Sequence, residues 1–244
     1  MVNKKLIVGN LKMNMVADEV SSYLRIVNKN IYSDNVVICP SSIYIPYFLK
    51  QRYNVGIQNI AVEEMGSHTG EISAKQAYSL GVKYALIGHS ERRQVDGETD
   101  LIVGKKVKTA IKNNLYSIVC IGETNEDKVM LRTENVLKKQ LKYALKELML
   151  EDMDNVVIAY EPVWAIGTNK IPSNRDIKNT VSYIKLLISN LYGYNNIKVL
   201  YGGSVNSKNI SQLMKIDNLD GFLIGGSSLD PNEFLNIIEV AVTK

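Results

Sequence analysis

Eight short runs of apolar, largely β-branched residues recur along the chain, at Leu6–Asn10, Val36–Cys39, Val55–Gln58, Ala85–Gly88, Ser117–Ile121, Val156–Ala159, Lys198–Leu200 and Gly221–Ile224. Their spacing averages about 30 residues, the length of one strand-plus-helix unit. The runs are continuously apolar instead of alternating, as expected of parallel strands covered on both faces. Amphipathic stretches lie between them. In Asp176–Leu191, Ile177, Val181, Ile184, Leu187, Ile188 and Leu191 form one stripe, Ser173 or Asn174 can cap the start, and Gly193 follows the end. In "DPNEFLNIIEVAV", Asp230 is the expected N-cap and Pro231 the first helical residue. Strands alternating with helices in this number predict an α/β fold, a (β/α)8 barrel of eight parallel strands ringed by helices. A doubly wound sheet is the alternative, but no G-x-G-x-x-G follows the first strand. No Pro/Gly/Ser-rich linker divides the chain, so residues 1–244 read as one domain.

Composition narrows the function classes. With 45% hydrophobic and 22% charged residues, the chain reads as a soluble globular protein. No apolar stretch approaches the ~20 residues of a membrane span, and the N-terminal "MVNKKLIVGN" has no signal-peptide core. The net charge of +4 is mild. The most basic stretch, "LKKQLKYALKE" at 137–147, has the spacing of a solvated helix face more than that of a nucleic-acid patch. Cys39 and Cys120 sit in separate apolar runs without metal-ligand spacing and read as reduced core thiols, which fits the cytoplasm.

In a βα barrel, chemistry gathers at the C-terminal ends of the strands. Strand one delivers Asn10 and Lys12 there, strand four His89, Ser90 and Glu91, and strand six Glu161. Each has a plain structural reading: a surface lysine, a satisfied core histidine, an ion-paired glutamate. Their convergence at one end of one barrel favours a site with an amine, an imidazole and a carboxylate. "LYGGSV" and "LIGGSS" close strands seven and eight, where glycine pairs let backbone N–H groups approach an anion. The last two loops of this fold are its recurrent phosphate site. The residues alone therefore give a phosphorylated small molecule, a general base, an imidazole and a fixed cation.

The segments "GNLKMN", "TGEIS", "YALIGHSERR", "CIGET", "AYEPVWAIGT", "LYGGSV" and "DGFLIGGSSL" together resemble the triosephosphate isomerase family, in order and along essentially the whole chain. The resemblance implies interconversion of dihydroxyacetone phosphate and D-glyceraldehyde 3-phosphate through an enediol(ate), in glycolysis and gluconeogenesis. It implies that Glu161 is the base that moves a proton between two carbons. His89 would be a neutral electrophile at the start of a short helix from Ser90, and Lys12, with Asn10, would supply positive charge. Gly167, Ser204, Gly225 and Gly226 would bind phosphate through backbone N–H groups. Glu91 would partner Lys12, Ser90 would hold the base when a lid is open, and Cys120 and Tyr201 would be supporting residues. The lid would comprise Pro162, Val163, Trp164, Ala165, Ile166, Gly167, Thr168, Asn169, Lys170, Ile171 and Pro172.

The resemblance further implies a homodimer made through Ser67, His68, Thr69, Gly70 and Glu71, with Thr69 supporting the neighbour's Asn10 and Lys12. It implies no redox or metal cofactor, no nucleic acid and no membrane. Three positions depart from the family pattern. His68 stands where an aromatic is usual, which would make a dimer contact pH-sensitive. Asn169 stands where glycine is common. Pro172 lacks the N–H that the family's closed lid gives to the tyrosine of "YGGS", so Tyr201 is expected to lose that partner. Rival readings are another phosphate-binding barrel, such as a sugar-phosphate epimerase or an indole-biosynthesis enzyme, and a barrel that has lost catalysis. An epimerase would want metal ligands or facing carboxylates, and a non-catalytic barrel would want damage at Lys12, His89 or Glu161; none of these is seen.

Overall fold

A computed structural model describes residues 5–168 and 171–242 of the chain. Eight parallel strands, β1 (Leu6–Asn10), β2 (Val36–Cys39), β3 (Asn54–Ile57), β4 (Tyr84–Ile87), β5 (Tyr116–Ile121), β6 (Val156–Tyr160), β7 (Lys198–Tyr201) and β8 (Gly221–Ile224), close into a barrel. β1 completes the ring by pairing with both β2 and β8, with Ile7 opposite Val36 on one side and Phe222 on the other. This is the (β/α)8, or TIM, barrel that the run spacing predicts.

The continuously apolar runs have a direct explanation in the two cores. Leu6, Val8, Val37, Cys39, Ile118, Cys120 and Leu200 point into the barrel lumen, while their neighbours Ile7, Ile38, Val119 and Val199 pack outward under the helices. A period-two strand with both faces dry must be apolar at every position. Each fully buried aliphatic side chain contributes roughly 1.5–3 kcal/mol relative to exposure, so a charge at any of these positions would be severely disruptive.

The helices begin and end where side-chain chemistry tells them to. Helix Asn174–Tyr192 starts at Ser173, whose hydroxyl accepts from the Asp176 N–H, and stops at Gly193 in the left-handed region at φ 68°. It buries Ile177, Val181, Ile184 and Ile188, whereas Leu187 is half-buried and Leu191 exposed. The stripe at Leu191 therefore overreaches the core by a turn. Helix Pro231–Val242 starts after Asp230, whose carboxylate accepts from the Asn232 N–H at 2.9 Å. The basic stretch at 137–147 is the rear of helix Thr133–Ala144, with Leu137, Leu141 and Ala144 buried. Among the described residues no helix is long and apolar enough to cross a membrane.

Strand edges differ slightly from the sequence expectation. β3, β4 and β5 each begin one residue earlier, at Asn54, Tyr84 and Tyr116, and β3 and β4 end one earlier. β6 and β7 run on to Tyr160 and Tyr201. Ladder pairing depends on backbone groups, so polar or aromatic residues at a strand end pair as well as aliphatic ones.

Candidate active site

Because all eight strands run the same way, their C-terminal ends share one mouth. Asn10 is the last residue of β1, Glu161 follows β6 directly, and His89 lies two residues beyond β4 as the N-cap of helix Ser90–Gln94. A cavity of ≈ 280 Å³ opens there, lined by Asn10, Lys12, His89 and Glu161 together with Ser204, Gly225 and Gly226. The structure thus brings together the residues that the sequence singled out.

Glu161 is 3% exposed. Its Oε1 lies 3.3 Å from His89 Nε2, and its Oε2 is buried without a hydrogen-bond partner. The His89 Nδ1 accepts the Glu91 N–H at 3.3 Å. A nitrogen that accepts has no proton of its own, which puts the ring's proton on Nε2, the atom facing Glu161 and the cavity. Arg93 fixes the turn that carries His89 by donating to Gly88 O at 2.6 Å, Cys120 O at 3.2 Å and Asp100 at 2.7 Å. The Cys120 thiol is pushed well up by burial and then by the Glu161 charge, so it is an inert thiol beside the carboxylate.

Two glycines set the position of Glu161. A Cβ on Gly122 would stand 1.8 Å from the Glu161 carbonyl oxygen, and one on Gly202 2.6 Å from its Cγ. The "YGGS" glycines therefore have a packing reason of their own: Gly203 lies against the Tyr201 ring, where a Cβ would meet the hydroxyl at 2.1 Å.

Lys12 occupies the left-handed region at φ 52°, a conformation that costs a non-glycine residue about 1–3 kcal/mol. Its surroundings over-determine it. Its N–H donates to Asn10 Oδ1 at 3.0 Å, its carbonyl accepts from Ser41 Oγ at 3.1 Å and Gln58 Nε2 at 2.8 Å, and its ammonium donates to Glu91 at 2.5 Å. The result is a cation aimed along one wall of the cavity.

The segment after Glu161 folds over the mouth. Val163–Ala165 make a single 3-10 turn, Ser204 Oγ donates to Ala165 O at 3.0 Å, and Ile166 and Gly167, the latter at φ 68°, line the cavity. Thr168 Oγ1 donates back to Trp164 O at 3.0 Å. Asn169 and Lys170 lie outside the described residues. Pro172 is buried and offers no N–H, and the buried Tyr201 hydroxyl has no hydrogen-bond partner. Ser90 is buried at the first position of its helix. Ser67, His68, Thr69, Gly70 and Glu71 are exposed, and Gly70 and Glu71 border a second cavity of ≈ 470 Å³ that reaches Lys12 and Glu91.

Sequence reading passed over Glu123, although it stands in the quoted "CIGET". It is buried, receives the Trp164 Nε1–H at 2.7 Å and the Tyr160 hydroxyl at 3.2 Å, and accepts the Val163 N–H on its own carbonyl at 3.0 Å. Burial raises its pKa despite those donors and the nearby Lys128 charge. A carboxylate two residues past a strand end was the available signal. Among the described residues no three His, Cys, Asp or Glu side chains converge as a metal site requires.

Comparison with known proteins gives the same reading from end to end. The sequence profile of the triosephosphate isomerase family matches residues 5–241. A triosephosphate isomerase of Alkaliphilus oremlandii is 42% identical over 97% of this chain and 99% of its own. One from Clostridium botulinum (strain Langeland) is 42% identical over 96% and 98%, and one from Francisella philomiragia 39% identical over 98% and 97%. With its barrel closed, its strand-end residues gathered and its relatives matched along nearly their full length, the chain belongs to the triosephosphate isomerase family.

Proposed function

We propose that Glu161, His89 and Lys12 carry the interconversion of dihydroxyacetone phosphate and D-glyceraldehyde 3-phosphate, the reaction of this family, in glycolysis and gluconeogenesis. The observation that carries the assignment is the 3.3 Å approach of a buried, half-satisfied carboxylate to an imidazole Nε2 at the edge of a glycine-walled cavity. Taking a proton from a carbon beside a carbonyl leaves negative charge on oxygen. Glu161 takes that proton while the His89 Nε2–H and the Lys12 ammonium stabilise the oxyanion. His89 then gives its Nε2 proton to that oxygen and takes the proton of the neighbouring hydroxyl, and Glu161 returns its proton to the neighbouring carbon. A positioned base gives about 10²–10⁴-fold, and an oriented oxyanion donor about 3–4 kcal/mol. The pairing of a carboxylate base with a histidine electrophile is a principle for which this family is itself the standing example.

Asn10 orients the charge of Lys12, and Glu91 is its resting partner. Gly167, Ser204, Gly225 and Gly226 hold the phosphate through backbone N–H groups; Gly226 supports this because nothing lies within 4 Å of where its Cβ would be. Ser90 receives the base when the lid is open, and Cys120 and Tyr201 back the strand ends. The stretch from Pro162 to Pro172 forms the lid that excludes water, a closure for which this family is again a standing example. The protein works in the cytoplasm as a homodimer, with Ser67, His68, Thr69, Gly70 and Glu71 entering the neighbour and Thr69 supporting its Asn10 and Lys12.

The test is conversion of dihydroxyacetone phosphate, coupled to a dehydrogenase, for wild type and Glu161→Gln. The expected result is a fast wild type and a variant slowed by about 10²–10⁴-fold. A wild type no faster than the variant would sink the reading.

A further inference from the structure

Outside the cavity already described, one surface side chain makes an unusual contact with the machinery. Lys128 lies on the short helix Asn125–Val129, which is pinned by Thr124 through a reciprocal cap with Asp127. From there its ammonium sits 3.2 Å from the centroid of the Trp164 ring. The indole it covers donates its N–H to Glu123 on the other edge. Glu123 in turn brackets Glu161, holding the Tyr160 hydroxyl on one side and the Val163 N–H on the other.

We propose that Lys128 is a positioning residue for the isomerisation: by stacking on Trp164 it clamps the first turn of the lid against Glu123 and keeps Glu161 aimed into the cavity. The chemistry is a cation over the most electron-rich aromatic face available, with a carboxylate on the same ring's N–H edge. The arrangement orders an exposed lysine that helix spacing alone would leave in solvent. Glu123 faces Trp164, Tyr160 and Lys128, and the cavity of ≈ 260 Å³ beside them also takes Glu134 from helix Thr133–Ala144 and Asp176 and Tyr183 from helix Asn174–Tyr192. Among the described residues lining this space Lys128 is the one basic side chain beside Glu123, Glu134 and Asp176, so its charge also favours the ionised Glu123 that receives the indole.

Trp164 is the single tryptophan of the chain beside fourteen tyrosines, so emission excited at the red edge, beyond tyrosine absorption, reads this turn. The experiment compares wild type, Lys128→Met and Lys128→Arg in the full-length protein. Lys128→Met should lower kcat/KM by about three- to tenfold, chiefly in kcat, with Lys128→Arg largely restored. Without substrate, the acid titration of Trp164 emission should have a higher midpoint in Lys128→Met than in wild type, and Lys128→Arg should bring it back. Equal midpoints, a flat titration in all three, or a kinetic loss that arginine fails to rescue overturns the proposal. The kinetic arm rests on the isomerase reading, whereas the fluorescence arm does not, so an inactive wild type would count against that reading alone.

Discussion

Glu161 and Glu98 are the same residue type, both buried, each with one carboxylate oxygen lacking a hydrogen-bond partner. They differ in what meets the other oxygen. Glu98 Oε1 receives the Arg92 guanidinium and the Lys106 ammonium, each at 2.5 Å, and Lys106 is itself braced by Asn59 at 2.8 Å. Glu161 Oε1 meets an imidazole at 3.3 Å, and the carboxylate's other polar neighbour is the uncharged Cys120 thiol. Burial would raise the Glu98 pKa, but Lys106 and Arg92 outweigh it and hold the carboxyl below its ordinary value. One glutamate is neutralised by fixed cations and braces helix Asp100–Lys112 against the loop after helix Ser90–Gln94. The other is left without a fixed cation, which destabilises a fold but would suit the proton-accepting role proposed for it.

That contrast can be broken by exchanging the outcomes. Glu161→Gln is expected to lose about 10²–10⁴-fold in kcat while its melting temperature stays at or above wild type, since no ion pair is lost. Calorimetry beside the coupled assay would reveal a structural Glu161 as a clear drop in melting temperature. Glu98→Gln should do the reverse. It leaves the buried Lys106 ammonium without a counter-charge, which costs about 3–5 kcal/mol for a broken buried pair and lowers melting by roughly 6–20 °C. The turnover of its folded fraction should remain near wild type.

Acid sharpens the same point more gently. A carboxyl held below its unfolded value of 4.5 contributes stability that is present above that pH and disappears as pH falls through the native value. Urea midpoints for wild type and Glu98→Gln, followed from roughly pH 7 to pH 3, should therefore converge towards the acid end. Parallel curves would mean that Glu98 is not ion-paired in solution. The smallest effect is expected at Tyr201→Phe, which deletes a buried hydroxyl without a partner. Stability should rise by up to about 1 kcal/mol, with kcat/KM close to wild type. A large kinetic loss would show that Tyr201 bonds the lid during turnover in spite of Pro172.

How legible these features were in sequence follows from their periodicity. The strands announced themselves because a barrel strand buries both faces and so reads as an unbroken apolar run. That Lys12, His89 and Glu161 share one mouth was legible because parallel strands end together, a rule of topology and not of local chemistry. Glu98 gave no such sign. Its partners lie six residues before and eight after it, across a helix start at Asp100, and no helix or strand repeat joins those positions. Glu123 was visible in "CIGET", but its value depends on Trp164 returning to it from 41 residues away. The backbone of Lys12 was also hidden, since nothing about a lysine suggests a left-handed conformation.

That strained lysine bears on when the site is made. Four hydrogen bonds hold Lys12 in a conformation it would leave if free, and they form as the chain folds. Folding happens once in the life of a molecule, whereas turnover repeats without limit. The placement of this cation beside the cavity is thereby set on the slow clock of folding, and a ligand that arrives finds no rearrangement of that backbone left to wait for.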